Sequence, residues 1–138
     1  MGNGGMQDGM MKGGMMHGMG GKRADASVCG SMTSHVEGRL AYVKAELKIT
    51  ADQEALWNDY ASAVRTTSQS LSGTCASLMQ AAAADNLPAR LDAHEGFVTA
   101  RLDALRTVIK AVKPLYAALS DEQKHLADQL IRGSSGMM

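Results

Sequence analysis

The stretch "ITADQ" at residues 49–53 has a near copy, "LSDEQ", at residues 119–123. In each, a hydroxyl residue precedes Gln by three positions, which is the capping-box arrangement at the start of a helix. An apolar residue stands before each cap, and acidic residues follow it, where they favour the positive end of the helix dipole. The cap and motif residues are Ile49, Thr50, Gln53, Leu119, Ser120 and Gln123. Each stretch therefore predicts that a helix begins there.

The chain around these two stretches also has helical composition. Residues 24–132 are rich in Ala, Leu, Glu, Lys, Arg and Gln, and few runs are typical of strands. We expect a first helix over 25–48, a second from Thr50 to about residue 84, a third from Pro88 and a short fourth after Ser120. The prediction is an all-α domain, with a long antiparallel helical hairpin, a third long helix and a short fourth helix.

The third helix carries the strongest apolar stripe, with intervals of three and four residues. Its members are Leu91, His94, Val98, Leu102, Leu105, Ile109, Val112 and Tyr116. We expect His94 to be a core or interface residue rather than a metal ligand. Pro114 predicts a kink or an early stop in this helix, because proline removes a ladder hydrogen bond.

The predicted core is thin. One Trp, one Phe and three Tyr are present, so each helix buries little area and a single three- or four-helix body is marginally stable. This favours a homodimer. Gly38 and Gly96 lie within predicted helices, where they either permit close approach of another helix or are a tolerated stability cost.

The two ends of the chain differ from its body. Seven of the 11 Met and nine of the 15 Gly lie in residues 1–21, so we expect a flexible Met/Gly-rich tail over 1–23 and a shorter one over 133–138. Thioethers are soft ligands that select Cu(I) or a similar soft metal ion. The candidate ligands are Met6, Met10, Met11, Met15, Met16, His17 and Met19. Alternatively, this segment binds no metal, or offers partners an adaptable apolar surface.

The two cysteines stand at matching distances from the predicted hairpin turn. Cys29 precedes Asp52 by 23 residues and Cys75 follows it by 23, so a hairpin brings the thiols to a similar height. This spacing is compatible with a disulfide, and two ordinary buried thiols are the alternative. Cys29 also forms a possible metal set with Met32 and His35, although one helix face does not easily bring all three together.

Several classes of function are disfavoured. Fourteen basic and fourteen acidic residues cancel, which leaves no electrostatic footprint for nucleic acid. No run of 18 apolar residues predicts a membrane span, and the N-terminus lacks the features of a signal peptide. The motifs of common catalytic sites are missing, so we expect neither an enzyme nor a required cofactor.

Two stretches resemble the LTXXQ family of periplasmic proteins, the Spy and CpxP group with ZraP and CnrX as relatives. They are "HVEGRLAYVKAELKITADQEALWNDYASAVR" at 35–65 and "LPARLDAHEGFVTARLDALRTVIKAVKPLYAALSDEQKHLADQL" at 87–130, and the resemblance extends over about 34–131. Ile49 replaces the first motif Leu and Ser120 the second motif Thr, and both keep the capping chemistry.

The resemblance implies a cradle-shaped homodimer in the periplasm, as a mature form without its signal peptide. It also implies the activity, which is ATP-independent holding of unfolded or stress-damaged proteins. The alternative is a periplasmic copper or heavy-metal binding or sensing protein without chaperone activity.

Overall fold

The computed structural model describes residues 29–31 and 33–134, with side chains described as far as Ile131, and this part of the chain is helical without strands. In chain order the elements are α1 (Val36–Leu47), a 3₁₀ turn (Ala51–Gln53), α2 (Glu54–Ala81), α3 (Leu87–Ala118) and α4 (Asp121–Ser134). The predicted all-α class is confirmed. The predicted N-terminal tail, 1–23, lies outside the described residues, as do residues 135–138 of the C-terminal one.

The first predicted helix is interrupted. Residues 29–31 and 33–34 are helical, but His35 lies in a turn with φ −119° and ψ 9°, and α1 begins only at Val36. The prediction of one continuous helix over 25–48 is therefore wrong at His35. The Thr33 hydroxyl donates to the Gly30 carbonyl at 3.0 Å, and the Ser34 hydroxyl donates to that of Ser31 at 3.2 Å. Such bonds compete with the helical backbone ladder.

Helix α1 runs antiparallel to α2. Lys44 pairs with Glu54 near the turn, Glu37 pairs with Arg65 further along, and the segment before α1 reaches Cys75. Helix α1 ends where Lys48 adopts the left-handed conformation, with φ 51° and ψ 52°. This reversal directs the chain into the turn before α2.

Helices α2 and α3 form the most extensively packed pair. Helix α2 ends at Ala81, three residues before the predicted end, and Asn86 caps α3 by accepting from the Ala89 N–H at 2.9 Å. Pro88 occupies the first turn of α3, as its fixed φ allows. The two long helices are thus joined by a short, capped connection.

The face of α3 that packs inward is not the one predicted from the bulky side chains. Most of the buried and half-buried residues of α3 lie on this inward face, where they are mainly small and recur at intervals of three and four: Ala89, Ala93, Phe97, Ala100, Ala104, Val108, Ala111 and Leu115. Small side chains let two helix backbones approach closely. Since successive residues are about 100° apart around a helix, the centre of the predicted stripe lies roughly 130° away from the centre of this inward-packing face. Most of the predicted stripe, including His94, is exposed, so His94 does not lie in the core of the described chain, and its alternative role as an interface residue stays a prediction.

The core lies at the end of the bundle where all four helices meet. Its buried members are Val36, Leu40, Leu47, Trp57, Ala61, Leu115, Leu119 and Ala127. Helix α3 continues through Pro114 to Ala118, so an early stop at the proline does not occur. The next residue, Leu115, is 3% exposed, and its burial holds the final turn of α3 in place.

Candidate functional site

The first motif forms a tight helix start. Thr50 is extended and precedes the 3₁₀ turn, and its N–H donates to Gln53 Oε1 at 3.1 Å. Thr50 and Gln53 take the reciprocal positions of a capping box, and the Gln53 N–H donates to the Thr50 carbonyl oxygen at 3.0 Å. Ile49 is half-buried against the core. The motif residues therefore connect the helix start to the packed end of the bundle.

The second motif repeats this arrangement at α4. The Ser120 N–H donates to Gln123 Oε1 at 2.9 Å, and the Gln123 N–H donates to Ser120 Oγ at 3.2 Å. These are the two reciprocal bonds of a capping box. Leu119, just outside the cap, is buried at 6% exposure.

The two motifs meet in space through their glutamines. Gln53 Nε2 donates to Gln123 Oε1 at 2.9 Å, and Gln123 Nε2 donates to Gln53 Oε1 at 3.0 Å. Each amide nitrogen donates a second bond to the end of the helix that precedes the other motif. Gln53 Nε2 reaches the Ala118 carbonyl at 2.9 Å, and Gln123 Nε2 reaches that of Leu47 at 2.8 Å.

This glutamine pair joins all four helices. Leu47 and Ala118 are the last residues of α1 and α3, and the carbonyl groups at a helix end accept no hydrogen bond from within the helix. Each amide oxygen accepts two hydrogen bonds and each amide nitrogen donates two, which uses the full capacity of both groups. The motif repeat is therefore a structural junction as well as two helix caps. An open cleft of about 490 Å³ lies over it, lined in part by Glu46, Lys48 and Glu122.

Sequence reasoning gave each glutamine a local role and missed their pairing. A capping Gln uses only its oxygen, which leaves an NH₂ group with two donors. Gln53 is buried at 8% exposure, and a buried donor needs an acceptor. The spare donors at two equivalent positions were the signal for this contact.

Cys29 and Cys75 are joined by a disulfide, with their Cα atoms 5.6 Å apart. Both are 3% exposed, and the Ser72 hydroxyl donates to the Cys29 carbonyl at 3.0 Å. The bond fixes the segment before α1 to the C-terminal half of α2. Because Cys29 is oxidised, it does not supply the thiolate required by the alternative metal set with Met32 and His35, and Met32 lies outside the described residues.

An exposed apolar strip runs along the N-terminal two thirds of α3. We call it the leucine face, and its residues are Leu87, Leu91, Val98, Leu102 and Leu105. Their exposed fractions lie between 45% and 58%. An exposed apolar strip of this kind on a helix is typical of a surface that contacts another protein. Further along the same stripe, Ile109 and Val112 are half-buried.

The charged groups with shifted pKa values lie in separate pairs. Arg65 donates to Glu37 at 2.5 and 2.9 Å, and this hydrogen bond lowers the pKa of the carboxyl group and raises that of the guanidinium. Burial raises the pKa of Tyr60, whose ring is tilted by 58° against that of Trp57 with the centroids 5.4 Å apart. Desolvation, and then the bond to Asp128, raise the pKa of Tyr116. The Glu37–Arg65 and Tyr116–Asp128 pairs are exposed contacts, whereas Tyr60 packs against the core.

The methionine-rich ligand set, from Met6 to Met19 with His17, lies outside the described residues. Within residues 29–31 and 33–131, no three His, Cys, Asp or Glu side chains converge into a possible metal site. His35, His94 and His125 are exposed. Across the same described part of the chain, no helix has the length and apolar character needed to cross a bilayer.

The chain matches the model of a known protein family. The model of the family described as LTXXQ motif family protein matches residues 35–131, which is more than two thirds of the chain. The match includes α1, both motifs, the leucine face and most of α4. Comparisons with curated proteins and with solved structures gave no match.

Proposed function

The chain belongs to the LTXXQ motif family, and from this premise we propose that it is a periplasmic protein of the Spy and CpxP type that holds unfolded or stress-damaged proteins without nucleotide. The observation that supports the proposal is the leucine face on α3. Family membership alone says which proteins the chain is related to. The leucine face provides a surface on which such an activity can act.

The chemistry of the leucine face suits transient holding of many sequences. Five apolar side chains project from one rigid helix between Leu87 and Leu105, a distance of about 27 Å along the helix axis. An unfolded client exposes short apolar stretches that can contact such a strip without a shaped pocket. Contacts of this kind are non-directional and scale with apolar area, so they require no particular client sequence.

Charged side chains border the strip on both sides. Arg90 and Arg101 follow one edge of the leucine face, and Glu95 and Arg106 follow the other. Clients with mixed charge find complementary partners along these edges, while the apolar centre remains narrow. The arrangement favours binding that is reversible rather than tight.

The test is suppression of client aggregation without nucleotide. The full chain is compared with a variant carrying Leu91→Gln, Val98→Gln and Leu102→Gln, which keeps helix propensity and removes apolar area. We expect the variant to be needed at roughly tenfold higher concentration for equal suppression, a change of about 1.4 kcal/mol. Tyr42→Gln is the matched control, because Tyr42 is equally exposed but lies on α1. Equal activity of the triple variant and the wild type over several clients would remove the leucine face from the proposal.

We also propose that the protein forms a homodimer. The described core contains no large side chain that is less than 2% exposed, and a body this thin gains stability from a second copy. Sedimentation equilibrium at micromolar concentration is the measurement. A monomer mass at every concentration contradicts the dimer and leaves the holding activity to be judged separately.

The second candidate function is binding of Cu(I) or another soft metal ion through the methionines of residues 6–19. The observation that favours it is the density of thioether side chains in this segment, together with His17. The test is competition for Cu(I) against a chelator, comparing the full chain with one in which Met6, Met10, Met11, Met15, Met16 and Met19 are replaced by Leu. Equal affinity for the metal rules out these sulfur ligands.

A further inference from the structure

The leucine face is the principal uncovered apolar surface of the described chain. Five of the eight large apolar side chains that are exposed belong to it, and no described segment packs over them. When no client is bound, this strip either contacts water along its whole length or is covered by another segment. The position of Cys29 points to one occupant within the same chain.

The described chain begins at Cys29, at about the height of the first turns of α3. Cys29 is fixed to Cys75 by the disulfide, and Cys75 lies six residues before the end of α2. Helix α3 starts six residues after that end, so its first turns lie beside the last turns of α2. At 1.5 Å per residue, Cys75 is about 9 Å from the end of α2 and Leu91 is about 6 Å from the start of α3. The point at which residues 1–28 join the described chain is therefore close to the height of Leu91 along the helix pair.

The length of this segment is sufficient to cover the strip. Met19 precedes Cys29 by ten residues and Met6 precedes it by 23, which permits reaches of about 33 and 76 Å in an extended chain. The leucine face is about 27 Å long. Every methionine between positions 6 and 19 can thus reach some part of it.

The composition of the segment supplies one type of side chain for this contact. Before Val28, residues 1–27 contain no Leu, Ile, Val, Phe, Tyr or Trp, and methionine is their only large apolar residue. Met is unbranched and adapts its shape to irregular apolar surfaces. The segment contains three basic residues, Lys12, Lys22 and Arg23, and two acidic ones, Asp8 and Asp25, so its net charge is +1 and repulsion from α3 is weak.

We propose that residues 6–19 lie on the leucine face of their own chain when no client is bound, with methionine side chains against Leu91, Val98 and Leu102. Weak contacts suffice, because a short tether gives an effective concentration in the millimolar range. The segment then competes with clients for the same strip. The consequence for clients rests on the proposed holding function, whereas the contact itself does not.

The contact is tested by methyl NMR on the full chain with its disulfide intact. A sample labelled at both Met and Leu methyl groups is compared with a co-refolded mixture of Met-labelled and Leu-labelled chains. We expect Met-to-Leu methyl contacts in the first sample and their loss in the mixture. Absence of contacts in the first sample overturns the proposal. Equal contacts in the mixture, or Leu-to-Leu contacts between copies, assign the strip to a second copy and also overturn it.

The consequence is tested by client affinity with two matched full-length variants. One replaces Met6, Met10, Met11, Met15, Met16 and Met19 by Ser, and the other replaces the same residues by Leu. If 70–90% of chains have the face covered, the Ser variant binds a denatured client about three- to tenfold more tightly than wild type, and the Leu variant does not. Equal affinity of the Ser variant and wild type overturns the competition. If none of the three chains binds clients, the holding function fails, and the methyl contacts alone decide whether the segment lies on the face.

Discussion

The side-chain amides of Gln53 and Gln123 hydrogen bond to each other in both directions, at 2.9 and 3.0 Å, although 70 positions separate them in the sequence. Each also donates to a carbonyl group at the end of the helix before the other motif. A repeated local signal thus produces a long-range contact. The contact sets the relative positions of four helix ends next to the buried core.

The glutamine junction predicts a large cost for removing either amide. Gln123→Ala removes one of the two donors and one of the two acceptors that the Gln53 amide contacts, together with the side-chain donor to the Leu47 carbonyl, and unsatisfied buried groups cost about 1–3 kcal/mol each. We expect a loss of roughly 2–4 kcal/mol in the free energy of unfolding, measured by urea denaturation. Gln69→Ala on the exposed surface of α2 is the control and should be close to neutral.

The pairing also predicts that the two substitutions are not additive. Once Gln123 is absent, Gln53→Ala removes fewer contacts, so the double variant should lose about 1–2 kcal/mol less than the sum of the single variants. A double-mutant cycle gives this value directly. Simple additivity would show that the two glutamines act only as separate caps.

The sequence predicted those parts of the structure that depend on neighbouring residues. The helix starts at Thr50 and Ser120, and the all-α class, follow from residues within one or two turns of each other. The pairing of Gln53 with Gln123 depends on tertiary position, which no local pattern contains. The inner face of α3 differs from the predicted one for another reason, because the side chains that this helix buries are mainly small ones. Ala100 and Ala104 lie inward because they are small enough for close helix packing, and Leu102 is left outside.

The two sides of α3 predict opposite outcomes for the same substitution. Leu115 is 3% exposed, so Leu115→Ala should destabilise the fold by about 2–5 kcal/mol through lost burial and a cavity. Leu102 is 45% exposed, so Leu102→Ala should change the free energy of unfolding by less than about 0.5 kcal/mol. Thermal or urea unfolding of both variants is the measurement. A large loss at Leu102 would mean that a second copy or another segment buries it in solution.

The disulfide predicts a stability effect that depends on the length of the loop it closes. With a sequence separation of 46, the chain-entropy relation gives about 4 kcal/mol for its loss. The joint substitution Cys29→Ala and Cys75→Ala should therefore lower the free energy of unfolding by roughly that amount. Adding a reductant during unfolding should reproduce the loss in the wild type. It should leave the double variant unchanged, which controls for other effects of the reductant.

The mid-helix glycines predict stabilising substitutions. A Cβ atom added at Gly38 or Gly96 meets no atom within 4 Å, so the described chain contains no close helix approach at either position. Gly38→Ala and Gly96→Ala should each raise the free energy of unfolding by about 0.5–1 kcal/mol. Ala76→Gly, at an exposed position of α2, should lower it by a similar amount. If Gly96→Ala instead weakens self-association in sedimentation, the glycine serves an approach between copies.

The pair between Glu37 and Arg65 predicts a pH-dependent contribution to stability. The hydrogen bond from Arg65 lowers the pKa of Glu37 below its usual value of 4.5, so the folded state favours the charged carboxylate. A lowered pKa contributes stability above the unfolded value, and this contribution is lost as the pH falls through the folded value. We therefore expect Glu37→Gln to reduce stability at pH 7 and to have a diminishing effect below about pH 4.5. Urea unfolding between pH 3 and 7 measures the difference, with Glu95→Gln on exposed α3 as the control. A difference that stays constant over this range would show that the carboxylate charge does not act through Arg65.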